Sequence, residues 1–264
     1  MQLLHSATRN YSWGSRTLIP HLQGQPDSDK PVAELWFGAH PGDPSTVDGR
    51  LLNEVIAEDP AGQLGSRVSA EYGERLPFLL KVLAAEEPLS LQAHPSKAQA
   101  EEGFARENAA GIELTASNRN YKDDNHKPEL IVALTDFYAM AGFRPLARTR
   151  ELFAALECPE LDHYVAMLDD DPSATTESAN LRVLFTTWIT IPSAKRKELI
   201  SAIVAAGERL IAADPADWKS RVMSTVLDLN QRYPGDIGVL GALLLNHIEL
   251  SPGEAVYLDA GQLH

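Results

Sequence analysis

Residues 89–97 read LSLQAHPSK, and the fold turns on how this stretch is taken. Leu89, Leu91 and Ala93 alternate with Ser90, Gln92 and His94. Side chains of an extended strand point to opposite faces at every second residue, so the alternation predicts a strand with one apolar face. The other face lines up a hydroxyl, an amide and an imidazole. Pro95 ends the strand, and Ser96 followed by Gln99 is a capping-box pattern that predicts a helix through KAQAEEGFARENAA to Gly111.

Upstream, residues 1–95 carry frequent glycine and proline (YSWGS, LIPHLQGQPDSDKP, GAHPGDPS) and read mostly as short strands and turns. VAELWFGAH (32–40) is a β-rich run, and LPFLLKVLA (76–84) is a candidate buried strand with Lys81 as its one charge. Downstream, PELIVALTDFYAMAGFR (128–144) returns to β character. From about Pro145 apolar residues recur at spacings of three and four, which predicts a helical block over 146–248 ending in DIGVLGALLLNHIEL. SPGE then turns the chain into a last strand, AVYLDAG, that needs a partner among the earlier strands. The expected organisation is therefore a mostly β chain with a helical insertion: 1–145 and 249–264 in one sheet system, 146–248 helical.

The chain has 264 residues, 44% hydrophobic and 23% charged, enough to bury a core, and a formal net charge of −14. A chain this acidic lacks the basic footprint of a nucleic-acid or anionic-membrane binder. An anionic small substrate would need a local cluster of Lys and Arg. No apolar run is long enough to span a bilayer. Cys158 is the single cysteine, and MQLLHSATRNYSWGS lacks the basic-then-apolar order of a secretory leader, so a cytoplasmic address is expected.

Gln92 and His94, at i and i+2, can aim an amide oxygen and an imidazole nitrogen at one point, as a divalent cation would require. On the pair alone, a solvent-facing polar strand or a hydrogen-bonded core histidine is the better explanation. Glu129 opens a strand after Pro128, with Lys127 two positions earlier; an exposed ion pair of little energetic value is the plainer reading. His264 follows a glycine turn at a strand end. Each piece is weak alone.

Taken together the segments are more specific. YSWGS, ELWFGAH, LPFLLKVLAAEEPLSLQAHPSK, NYKDDNHKPELIVAL, FRP and LSPGEAVYLDAGQLH run almost end to end, and their order closely resembles the type I phosphomannose isomerases. The resemblance implies a cupin-like β-sandwich (jelly roll) with an inserted α-helical domain, and a zinc-dependent aldose–ketose isomerase. Such an enzyme interconverts mannose 6-phosphate and fructose 6-phosphate by C1/C2 proton transfer through an enediol, on the route to GDP-mannose. It implies Zn2+ held by Gln92, His94, Glu129 and His264. It further places Lys127, Ser90, Lys81 and Glu34 in the catalytic pocket, with Trp13 a weaker candidate. The partner it implies is a small sugar phosphate. The family continues beyond its last zinc histidine with further sandwich strands and a catalytic arginine. A chain ending at His264 is therefore expected to leave part of the sandwich open, to place a carboxylate beside the metal, and to bind zinc and turn over poorly.

Two rival functions use the same residues: a non-catalytic metal-binding cupin, and another metal-dependent cupin enzyme such as an iron oxygenase, for which two histidines and a carboxylate would suffice. Trp36 reads as a core or rim aromatic and His126 as structural. His5, His21, His40, His163 and His247 show no ligand spacing. Cys158 is expected to be an inert thiol, and LDDDP (168–172), without an EF-hand pattern, a solvated loop.

Overall fold

The structure, a computed structural model, describes residues 2–168 and 174–264. It divides into two compact units, Met1–Leu89 and Ser90–His264.

The N-terminal unit contains β1 (Leu4–His5), β2 (Ala7–Arg9), α1 (Leu18–Leu22), β3 (Glu34–Phe37), β4 (Thr46–Val47), β5 (Arg50–Leu51), α2 (Leu52–Glu58), α3 (Pro60–Leu64), α4 (Ser66–Tyr72) and β6 (Leu80–Leu83). Two antiparallel three-stranded sheets form, in the orders β1-β4-β5 and β2-β3-β6. Ile19, Val32, Leu35 and Ala84 make a small core, with Phe37 and Val82 packed alongside. The YSWGS motif needs its glycine: a Cβ on Gly14 would lie 2.5 Å from the Ala33 Cα.

Two expectations fail in this unit. LPFLLKVLA is a strand only over Leu80–Leu83, and it is not buried, since Phe78 is 64% and Leu80 59% exposed. The three short helices at 52–72 fall where turns and strands were expected. They are too brief for periodicity to show, and their clearest local signal is Asp59, whose side chain accepts from the Gly62 amide to cap α3.

The C-terminal unit contains α5 (Lys97–Ala109), β7 (Glu129–Val132), β8 (Phe137–Phe143), α6 (Leu146–Leu156), α7 (Pro159–Val165), α8 (Ala174–Thr190), α9 (Ser193–Ala213), α10 (Trp218–Arg232), α11 (Ile237–Ala242), β9 (Leu245–Leu250) and β10 (Ala255–Leu258). The predicted capping box is present: Ser96 Oγ accepts from the Gln99 amide and Gln99 Oε1 accepts from the Ser96 amide. The helices enclose the main core, in which Leu152, Leu184, Trp188, Ile203, Met223 and Leu240 are fully buried. None of the described helices is long and apolar enough to cross a membrane. The Cys158 thiol is buried, and burial pushes its pKa up, in keeping with an unreactive side chain. The LDDDP run lies, after Leu168, outside the described residues.

In sequence the helices α6–α11 fall between the members of two antiparallel strand pairs, β8 with β9 and β7 with β10. The last strand thus finds its partner in β7, as a strand needing a mate predicts. The helical block, however, ends at Ala242 and not at 248. Leu243, Leu244 and Leu245 continue the apolar run at 0% exposure, but the chain turns at Leu243 and Leu244 and enters β9 at Leu245. A fully buried apolar run reads equally as helix or strand. Helices also cover far more of the described residues than strands do, so a mostly β chain is not what is observed. Nor is the 89–94 stretch a regular strand. It is an extended segment with a single antiparallel bridge, Ala93 to Leu263.

His247 in β9 is half-buried, and its Nε2 lies 3.0 Å from the Ala242 carbonyl. Burial pushes its pKa below the usual histidine value, with repulsion from Arg144 a smaller contribution. The unfolded ring takes up its proton near pH ~6.5, the folded ring only at lower pH. Within that window the unfolded chain binds more protons, so stability falls as pH drops. In metal-free protein the urea midpoint should therefore decline below pH ~6.5, and His247→Asn should make the decline shallower by up to about one proton's worth of slope. An unchanged slope would contradict the assignment.

Candidate metal centre

The centre lies within the C-terminal unit and is assembled by backbone pairing. The Gln92 amide donates to the His264 carbonyl at 2.7 Å and the His264 amide returns a bond to the Gln92 carbonyl at 2.9 Å. The Gly261 amide donates to the His94 carbonyl at 2.6 Å, and the Gly142 amide, at the irregularity in β8, donates to the Leu263 carbonyl at 2.8 Å. Gly261 has φ +91°, a left-handed conformation that turns the chain after β10 back toward His94 and that other residues adopt only with strain. The β7–β10 register places Leu258 opposite Glu129, so the same strand pair that delivers His264 delivers the carboxylate.

Ligand atoms of His94, Glu129 and His264 all lie within 4.8 Å of one another. His94 Nε2 is 3.3 Å from Glu129 Oε1, and His264 Nε2 is 3.4 Å from Glu129 Oε2. Donors arranged tetrahedrally at about 2.1 Å from a cation stand roughly 3.4 Å apart, close to the two histidine–carboxylate distances seen here. His264 Nδ1 lies 3.0 Å from the Gln262 carbonyl, a contact that orients the ring with Nε2 toward the carboxylate. Burial pushes the His94 pKa down, and the nearby His264 and Lys127 add to this while Glu129 opposes it. A ring held neutral is the ligating form.

The fourth expected ligand, Gln92, has its backbone in the same ladder two residues before His94, and the residue is half-buried. Lys127 Nζ pairs with Asp123 Oδ2 at 3.0 Å while its charge acts on His94. Asp123 was passed over in the sequence, although its i, i+4 spacing from Lys127 in KDDNHK was available as a signal. Ser90 is exposed at the start of this unit. Glu34 and Lys81 belong to the N-terminal unit. There the Glu34 side chain is 6% exposed, accepts from Trp36 Nε1 at 2.8 Å and pairs with Lys81 Nζ at 3.4 Å. Lys81 Nζ also stands 4.9 Å from the Trp36 ring centroid. Trp13 is half-buried and stacks on Tyr11 at 5.5 Å.

Residues 1–146 match the family model described as phosphomannose isomerase type I, catalytic domain. Mannose-6-phosphate isomerase of Escherichia coli K12 is 39% identical over 272 residues, an alignment covering 100% of this chain and 65% of that protein. Mannose-6-phosphate isomerase 1 of Arabidopsis thaliana is 32% identical, with 100% of this chain and 62% of that protein covered. Among solved structures, mannose 6-phosphate isomerase from Salmonella typhimurium bound to fructose 6-phosphate and zinc superposes with a TM-score of 0.84 at 36% identity, covering 100% of this chain and 64% of that one. The chain thus spans slightly under two thirds of the length of these relatives. With more than half its residues matched to the catalytic-domain model and the histidine–glutamate–histidine set gathered at zinc spacing, the chain belongs to the type I phosphomannose isomerase family.

Proposed function

We propose that the protein is a zinc-dependent aldose–ketose isomerase that interconverts mannose 6-phosphate and fructose 6-phosphate by moving a proton between C2 and C1 through an enediol. The observation that carries this reading is the His94–Glu129–His264 cluster at zinc spacing, in a chain 39% identical to an enzyme named for that reaction. His94, Glu129 and His264, with Gln92 as fourth ligand, would hold the ion. When bound, zinc supplies Lewis-acid polarisation of the sugar oxygens next to the migrating proton.

The remaining chemistry falls to the chain. Lys127 carries a positive charge beside the donors, placed to stabilise negative charge that develops on an enediolate oxygen. Its bond to Asp123 holds the ammonium in place. Ser90 and Lys81 are proposed to bind the phosphate or hydroxyls and so set the pose of C1 and C2, and Glu34 is proposed as a wall residue. Ser90 and Lys81 supply local donors in a chain whose net charge of −14 would otherwise repel a sugar phosphate. The architecture proposed is the cupin-like jelly roll with the helices inserted. The pairing of β7 with β10 and β8 with β9, on either side of α6–α11 in sequence, supports it. A cytoplasmic address is part of the same reading.

Metal analysis and a coupled assay test it together. The purified chain should bind zinc and form fructose 6-phosphate from mannose 6-phosphate at a low but measurable rate, with that activity lost to a chelator and restored by zinc. Zinc binding without any fructose 6-phosphate would favour a non-catalytic metal-binding module. Iron in place of zinc would favour an oxygenase.

A further inference from the structure

We propose that Lys97 is a positioning residue for the metal centre, tying the loop that carries Lys127 and Glu129 to the start of the helix that follows His94. The inference rests on the zinc reading above and concerns a residue that contributes no donor to the ion.

Lys97 is the first residue of α5, three positions after His94. A cation there is electrostatically misplaced, because a helix N-terminus carries partial positive charge. The side chain instead reaches across to the returning loop. Its Nζ donates to the Asp124 carbonyl at 2.8 Å and to Asn125 Oδ1 at 3.1 Å, and pairs with Glu101 Oε1 at 3.2 Å. The loop transmits this tie to the site. Asp123 Oδ1 accepts from the Asn125 amide at 3.0 Å, and Asp123 Oδ2 holds Lys127 Nζ at 3.0 Å, two residues before Glu129.

The far end of the loop is anchored independently. Arg119, its side chain fully buried, meets Glu107 Oε2 at 3.1 Å and donates to the Ile112 carbonyl at 2.7 Å and Asn108 Oδ1 at 2.8 Å. Glu107 Oε2 also accepts from the Tyr121 amide at 2.8 Å. Residues 122–128 therefore span from a rigid anchor at the C-terminal part of α5 to the first residue of β7. Lys97 is a cation that holds the middle of that span, and it does so from three residues after His94. Two donors separated by 35 positions in sequence share one short mechanical link (94 and 129).

Lys97→Met keeps the aliphatic stem and removes the hydrogen bonds. It is expected to weaken zinc affinity by about 10–100-fold, the usual cost of losing a group that orients a metal ligand. Amide hydrogen exchange at Asp124–Lys127 should also speed up in the metal-free protein. Lys97→Arg, whose fork can reach both acceptors, should recover both readouts. Glu101→Gln, which removes only the exposed partner, should leave zinc affinity as it was.

Wild-type zinc affinity in Lys97→Met, or a loss that Lys97→Arg does not recover, overturns the proposal. If Lys97→Met does not fold, Asn125→Ala takes its place and should weaken zinc binding several-fold; unchanged affinity there overturns the proposal equally. A wild-type chain that binds no zinc would sink the metal-centre reading instead, and the metal-free exchange rates of Lys97→Met would still decide whether the tie exists.

Discussion

Glu129→Ala is expected to lower zinc affinity by roughly 10²–10³-fold while leaving the metal-free fold almost untouched. Structural zinc sites release about 10–16 kcal/mol over four ligands, so one ligand accounts for ~2.5–4 kcal/mol, and each 1.4 kcal/mol is a factor of ten in affinity. Glu129 is the donor that faces both rings, one oxygen toward each histidine. Removing it leaves two neutral imidazoles and an amide, a set of side chains without any anionic ligand to offset the dication. Glu129→Gln keeps an oxygen but loses the charge and should fall between alanine and wild type. The fold should survive because the side chain is 39% exposed at the first residue of a strand, and exposed pairs with histidine contribute about 0–1 kcal/mol. Isothermal titration with zinc and urea unfolding with a chelator present separate the two effects. Affinity within about threefold of wild type, a difference of under ~0.7 kcal/mol, would remove Glu129 from the ligand set.

What could be read in advance follows the range of the interactions involved. The capping box at Ser96 and Gln99 is a contact within one helical turn, so α5 was predictable to within about two residues. The alternation in LSLQAHPSK does not mark a buried apolar face, since Leu89 and Ala93 are exposed, and what holds that segment extended is a single bridge from Ala93 to Leu263, far along the chain, together with the mutual bonds of Gln92 and His264. No local pattern reports such a partner. The run GVLGALLLNHIEL hides its own break, because Leu243–Leu245 are equally apolar as the end of a helix and as the start of a buried strand. The site behaves in the same way. His94, Glu129 and His264 have no spacing relation along the chain, and each one alone reads as a surface or core residue. The β7–β10 register and the turn at Gly261 create their convergence, and both are consequences of tertiary pairing. Likeness to a family linked them in sequence, and the donor distances now link them in space. Lys97 was invisible for the opposite reason: helix propensity accounts for a lysine in α5 without any tertiary role.

Arg144→Ala is expected to destabilise the C-terminal unit by about 3–5 kcal/mol, the worth of two charge-assisted hydrogen bonds and a large share of the ~5–15 kcal/mol that holds a typical domain together. Arg144 directly follows β8 and is 5% exposed. Its guanidinium donates to the Leu243 carbonyl at 2.9 Å and the Leu245 carbonyl at 2.7 Å, and its amide donates to the Leu244 carbonyl at 2.7 Å. One residue thus satisfies three consecutive carbonyls where α11 gives way to β9. Burial pushes its pKa down to about 10, with Arg148 adding to the effect, so it remains charged at neutral pH. Each charge-assisted bond is worth about 1.5–3 kcal/mol, and truncation also strands two buried carbonyls. Arg144→Lys should recover only part of this, because a single ammonium cannot bridge carbonyls two residues apart as a planar fork does. The damage should reach the metal centre as well. Gly142, two residues earlier, donates the amide that holds Leu263, and Leu263 fixes the backbone before His264. Urea unfolding of metal-free Arg144→Ala should show the loss directly, and zinc titration of the variant that remains folded should show weakened binding. A loss below about 1 kcal/mol, the size of an ordinary surface substitution, with zinc affinity intact, would mean that the α11–β9 junction and the histidine beyond it are held by something other than this guanidinium.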